Sequence, residues 1–141
     1  MLSDVFTEVG IAATYGLVGL VLMAVGFAIV DVLTPGNLRE QIWVQRHRNA
    51  AILLATNVVG VGIIVATAIA ASEDDWGAGI VSTVAYGLLG LILMGLSFVV
   101  IDAVTPGKLG EILMEDAPHP AVYVNGASHL AVAAIVAVSI V

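Results

Sequence analysis

The sequence predicts an all-α membrane protein of four transmembrane helices. They come from two parallel two-helix repeats, with a short interfacial helix after spans one and three. Three observations carry that prediction. Of 141 residues, 60% are apolar and 11% charged, with a mean hydropathy of +1.10, against roughly a quarter charged in soluble domains. Four uncharged runs reach membrane-spanning length. The stretch 15–36, YGLVGLVLMAVGFAIVDVLTPG, returns 71 residues later as 86–107, YGLLGLILMGLSFVVIDAVTPG, with 12 of 22 positions identical and no gap. Repeats of this kind set the architecture before any single residue does. The chain divides into a first two-span repeat, 1–71, and a second, 72–141, which together make one membrane domain.

The N-terminus, MLSDVFTEVG, has no basic residue and carries Asp4 and Glu8. That composition argues against a cleaved secretory signal, so the first apolar run is expected to stay. Span one is 9–30, 22 residues without a charge, enough for a hydrocarbon core of about 30 Å at about 1.5 Å per residue. Asp31 falls in its last turn. Pro35 lacks an N–H and disfavours the α region at Thr34, so the helix is expected to end there. Thr34 is then placed to N-cap a new helix with Pro35 at its first position. Leu38, Ile42 and Trp43 give that segment an apolar face opposite Arg39, Glu40, Arg46 and Arg48, as for a helix lying in the membrane interface.

Span two is 50–71, and the Glu73-Asp74-Asp75 loop follows it. Span three is 77–101, ended by Asp102. The corner repeats as Thr105, Pro106 and Gly107, leading into a more acidic segment with Glu111, Glu115 and Asp116. Pro118 and Pro120 enforce an extended entry to span four, 121–141, whose one ionisable group is His129. Helix is the expected state for all four, because barrel strands would alternate polar and apolar residues.

All four Lys and Arg (Arg39, Arg46, Arg48, Lys108) follow spans one and three. By the positive-inside rule those loops are expected in the cytoplasm and both termini outside. The two repeats then share one orientation, related by an axis along the membrane normal. Trp43 and Trp76 fall where interfacial aromatics belong.

The motif Asp-x-[Leu/Val]-Thr-Pro-Gly-x-Leu-x-Glu, present as 31–40 and 102–111, resembles domain-of-unknown-function family 350. That family comprises small bacterial inner-membrane proteins made of this two-span repeat, and the likeness covers nearly the whole chain. Asn49-Ala50-Ala51 matches the family's entry to its even-numbered spans, whereas the second copy has Pro120 there. The resemblance implies the fold and a bacterial inner-membrane location, and brings no established activity.

Three groups of residues could carry function. Asp31 and Asp102 oppose the helix macrodipole at equivalent positions, beside Thr34, Pro35, Gly36 and Thr105, Pro106, Gly107. They either accept hydrogen bonds from the start of the following helix, or pair with a base such as Arg39, or form a cation or proton site at the mouth of the bundle. Asn57, Asn125, Ser128 and His129 are the polar groups within the even-numbered spans, and Asn57 aligns with Ser128. They serve interhelical hydrogen bonding or line a polar track. Gly16, Gly19 and Gly26, with Gly87, Gly90 and Ser97 in the second copy, form a small-residue stripe on which spans one and three are expected to pack face to face.

No cysteine is present, so disulfides and thiolate chemistry are excluded. A net charge of −7 speaks against nucleic-acid binding. No nucleotide loop, zincin helix, nucleophile elbow or paired-histidine haem site occurs. The expectation is a non-enzyme without cofactor or metal. Its partners would be the lipid bilayer and other membrane chains or copies of itself. It acts through association as an accessory subunit or homo-oligomeric scaffold, the alternative being a small oligomeric ion or proton channel or transporter.

Overall fold

A computed structural model describes residues 1–72, 74–107 and 109–141. Glu73 of the acidic loop and Lys108 of the second basic loop lie outside the described residues. Four long helices dominate: α1 (Leu2–Leu33), α2 (Arg48–Ala70), α3 (Trp76–Val104) and α5 (Pro120–Ile140). A short α4 (Leu109–Leu113) precedes α5, and a π-helical turn (Glu40–Val44) precedes α2. All four long helices are long and apolar enough to cross a membrane.

Helix α1 starts at Leu2, seven residues ahead of the uncharged run, because nothing between 2 and 8 breaks a helix. Asp4 sits in its first turn, favourable against the positive helix end, and pairs with the N-terminal ammonium at 2.6 Å. At 32 residues α1 is about 48 Å long, so it overhangs a core of about 30 Å. Residues 1–10 are exposed throughout.

Both corners are built alike. Thr34 and Thr105 are extended (ψ 129° and 126°), as expected before proline. Each closes the helix behind it: the Thr34 hydroxyl donates to Val30 O at 2.7 Å and the Thr105 hydroxyl to Ile101 O at 2.7 Å. This differs from the expectation that Thr34 caps the next helix. Gly36 and Gly107 both adopt φ +92°, outside the helical region, so no helix can run through Pro35-Gly36. The next segment begins two residues later, where Asn37 Oδ1 accepts from the Glu40 N–H at 3.3 Å.

Spans one and three do pack on each other, but theirs is not the main interface. The largest interface joins α2 to α5, while α1 and α3 pack on that pair's flanks and on each other. Close approach on the α2–α5 seam comes from Gly126, where an added methyl would sit 2.9 Å from Thr56 Cγ2. At Gly60 it would sit 3.2 Å from Ala133 and 2.9 Å from Met94. The glycine stripe is shared between neighbours. Gly26 faces Val61 of α2 first, at 2.6 Å from an added methyl, and Leu91 of α3 at 3.2 Å, while Gly87 of α3 faces Leu22 of α1 at 2.7 Å. Gly19 faces Val65 and Ile69 of α2, Gly90 faces Ile64 of α2 and Val136 of α5, and Ser97 bonds to Met94 O within its own helix. Gly16 is exposed with nothing near it, which removes it from the packing set. The apolar core is split in two. One cluster near the corners includes Val30, Leu53, Phe98 and Val122, and a second includes Leu22, Ile64, Leu91 and Ala133.

Gly90→Leu is expected to lower stability in detergent by about 1–3 kcal/mol, the scale of overpacking. Gly16→Leu should stay within about 0.5 kcal/mol of the parent. Thermal unfolding of the two variants in one detergent reads the contrast, and equal effects would contradict the assigned packing.

Candidate functional site

The functional groups expected from the sequence fall into two places: the corner end of the bundle and a polar layer between the two apolar clusters. At corner one, Asp31 is half-buried and its Oδ1 accepts from the Leu38 N–H at 3.2 Å. The carboxylate therefore ties the end of α1 to the start of the next segment. It makes no ion pair with Arg39; the one ion pair among the described residues is Met1 with Asp4. Gln41 seals the corner from inside. Its Nε2 donates to Pro35 O at 3.3 Å, and it occupies the space above Gly36 where a Cβ would collide with it. Corner two keeps the backbone and changes the contacts. Asp102 has no side-chain hydrogen bond or ion pair among the described residues and lines an open recess with Pro35, Gly107 and Glu111. Thr105 also reaches α5: its hydroxyl, whose one proton is shared with the shorter bond to Ile101 O, lies 3.2 Å from Asn125 Oδ1.

The polar layer is Asn57 of α2, His129 of α5 and Phe98 of α3. Asn57 Nδ2 donates to Leu53 O at 2.8 Å and lies 3.4 Å from His129 Nδ1. With Nδ1 as the acceptor, His129 carries its proton on Nε2. The imidazole stacks on Phe98, ring centroids 4.8 Å apart and 4° from parallel. Asn57 is 1% exposed and His129 2%, so solvent does not reach them. Asn57 Oδ1 and His129 Nε2 nonetheless have no partner, a departure from the rule that buried polar atoms are paired. A recess between α1, α2 and α3 lies beside Asn57, lined otherwise by apolar side chains. It offers about 10 Å³ to the centre of a water, close to the requirement of one molecule. Ser128 is not in the layer: its hydroxyl bonds back to Val124 O at 2.8 Å. Asn57 thus pairs across the seam with His129, one residue on from its repeat equivalent.

Sequence spacing did not reveal the best-connected polar residue. Asn49, 1% exposed, stands in the first turn of α2. Its Nδ2 lies within bonding distance of the carbonyls of Ile112 (3.0 Å), Ala117 (3.1 Å) and Glu115 (3.3 Å), which share its two N–H donors, and its Oδ1 accepts from the His119 N–H at 3.1 Å. His119 in turn caps α5 through Nδ1 and the Ala121 N–H at 3.1 Å. One side chain of the first repeat therefore holds the whole α4–α5 connection of the second. The equivalent position is Pro120, which has no such amide. The first connection closes on its own backbone, His47 N–H to Gln41 O at 2.9 Å, with Arg46 in the left-handed region at φ 57°.

No three His, Asp or Glu side chains converge on a metal-sized position among the described residues. The geometry supports joining helices, fixing their register and sealing the core.

A family model described as Domain of Unknown Function (DUF350) matches residues 3–140. A UPF0719 transmembrane protein of Mycolicibacterium paratuberculosis is 34% identical over 126 residues, covering 89% of this chain and 83% of the relative. One of Mycobacterium bovis is 36% identical over 133 residues, covering 93% and 88%. No solved structure matches.

Asn49→Ala should cost about 2–4 kcal/mol, because it strands several buried carbonyls and an N–H at roughly 1–3 kcal/mol each before relaxation. Asp31→Asn should cost about 1 kcal/mol for weakening a charge-assisted bond, and Asp102→Asn within about 0.5 kcal/mol of nothing. Unfolding of the three variants in detergent checks the order; an Asn49→Ala chain as stable as the parent would contradict it.

Proposed function

This chain belongs to the DUF350 family of multi-pass membrane proteins, and we propose that it works there by association rather than by catalysis. It serves as an accessory subunit of a membrane complex or as a homo-oligomeric scaffold. One observation carries the reading: the interior has little free space while the outer helices are bare. The space beside Asn57 takes about one water. In the most apolar stretch of each helix, 44% of α2 and 39% of α5 is buried, against 22% of α1 and 28% of α3. In lipid, such faces associate by packing and polar contacts rather than by the hydrophobic effect. A transport reading draws on a different observation, the unpartnered Asn57 Oδ1 and His129 Nε2 at the bundle's centre, since polar groups within spans often mark pathways. It is the second reading, because the recess beside Asn57 has room for about one water and its other lining side chains are apolar.

The location that goes with this function is a bacterial inner membrane. The Arg39–Arg46–Arg48 connection faces the cytoplasm and both termini face outside, on the strength of the basic residues' placement. A photo-reactive residue at Leu20, exposed on α1, should yield adducts to another protein chain in cells, and one at the buried Leu53 none. Ser72→Cys should react with an impermeant thiol reagent added outside, and Gln45→Cys should not. Lipid adducts alone at Leu20 would overturn the association reading, and reversed labelling the orientation.

A further inference from the structure

The first connection carries a recess that the association reading does not use. Phe27, Asn37, Arg39, Glu40, Trp43 and Val44 enclose an open groove of about 580 Å³. Its lining is graded. Phe27 belongs to the uncharged part of α1, a turn on the membrane side of Asp31. Arg39, Glu40 and Asn37 lie beyond the corner, on the polar side. The groove therefore joins the uncharged surface of α1 at Phe27 to the connection, where the apolar Trp43 and Val44 stand beside the polar Asn37, Arg39 and Glu40. Trp43 is 66% exposed and Val44 73%. Nothing in the described chain covers them, as suits side chains meeting lipid at the interface.

The connection carries an excess of basic charge, Arg39, Arg46 and Arg48 against Glu40. Arg39 in the groove, with Arg46 and Arg48 farther along, makes no ion pair among the described residues, although the chain holds 11 acids against 4 bases. Glu40 is the one acid at the groove. A guanidinium presents paired N–H donors suited to a phosphate, and Glu40 and Asn37 beside it can bond to headgroup hydroxyls. An apolar end, a phosphate-matched cation and adjacent hydroxyl acceptors together describe an amphiphile.

We propose that this groove seats an anionic phospholipid of the leaflet on the connection side, its phosphate on Arg39 and its upper acyl chain along Phe27 and Trp43. The second repeat has no equivalent site, since Gly110 and Met114 stand where Arg39 and Trp43 would repeat, and Glu111, Glu115 and Asp116 make that segment acidic. Lipid recognition would thus belong to one half of the molecule.

The test uses the full chain with Trp76→Phe, leaving Trp43 as the single tryptophan, in phosphatidylcholine vesicles. A minor fraction of either phosphatidylglycerol or phosphatidylcholine carries brominated chains that quench tryptophan on contact. Enrichment of phosphatidylglycerol at Trp43 of about five-fold is expected, the equivalent of roughly 1 kcal/mol for one engaged arginine. Arg39→Gln should bring quenching by the two lipids level. A Trp43→Phe chain, reporting from Trp76 at the far end, should show no preference with or without Arg39→Gln, which also verifies insertion. Equal quenching by both lipids in the parent, a preference that Arg39→Gln leaves intact, or a Trp43 shielded from both by another protein copy would each overturn the proposal.

Discussion

The rest of the structure depends on the seam between α2 and α5. In a bilayer the hydrocarbon outside a helix is as apolar as any leucine inside, so burial alone does not hold two helices together. What holds these is close approach at Gly126 against Thr56 and at Gly60 against Ala133, together with a polar tie between Asn57 and His129. Phe98 then stacks on the imidazole from α3. Each apolar cluster packs on one side of this layer, which gives the seam a single register: sliding α5 by a turn would separate His129 from both Asn57 and Phe98. Helices α1 and α3 lean on that seam and keep their other faces for lipid or for other chains.

The two repeats use one backbone plan for different tasks. Both corners share the Thr-to-carbonyl closure and a glycine at φ +92°, which follows from Thr-Pro-Gly wherever it ends a helix. Divergence lies in the side chains around that plan. Asp31 binds the next segment and Asp102 stands open; Thr105 reaches Asn125 in addition to its own helix, whereas at the first corner the repeat equivalent of Asn125 is Leu54, which offers Thr34 no such partner. Asn49 couples the halves in one direction, from the first repeat to the second. The result is a pseudo-symmetric frame with a basic, groove-bearing connection on one repeat and an acidic one on the other.

Much of this is legible in the sequence. Four uncharged runs gave four helices, and the gapless repeat located both corners. Local chemistry was readable where it is settled by neighbours in sequence, as with the extended residue before Pro35. It misled where two local options competed: Thr34 could cap forwards or close backwards, and the left-handed Gly36 decided for the latter. Helical spacing showed that the glycines share a face without showing which neighbour meets it, so Gly19 and Gly90 serve α2 and α5 rather than the α1–α3 pair, and Gly16 serves neither. Asn57 aligns with Ser128 in the repeat, and the side chain it meets across the seam is the adjacent His129, because a seam in space need not keep the repeat's register. Asn49 finds its partners 63 to 70 residues away, and no local pattern encodes such contacts.

The closed core is the claim on which the functional reading turns, and ion flux tests it most directly. The purified chain would be reconstituted in proteoliposomes, and proton and potassium leak followed with internal dyes under an imposed gradient. A sealed Asn57–His129 layer predicts leak equal to that of protein-free vesicles. Flux above that level, abolished by His129→Phe in a chain that still inserts and assembles, would contradict it.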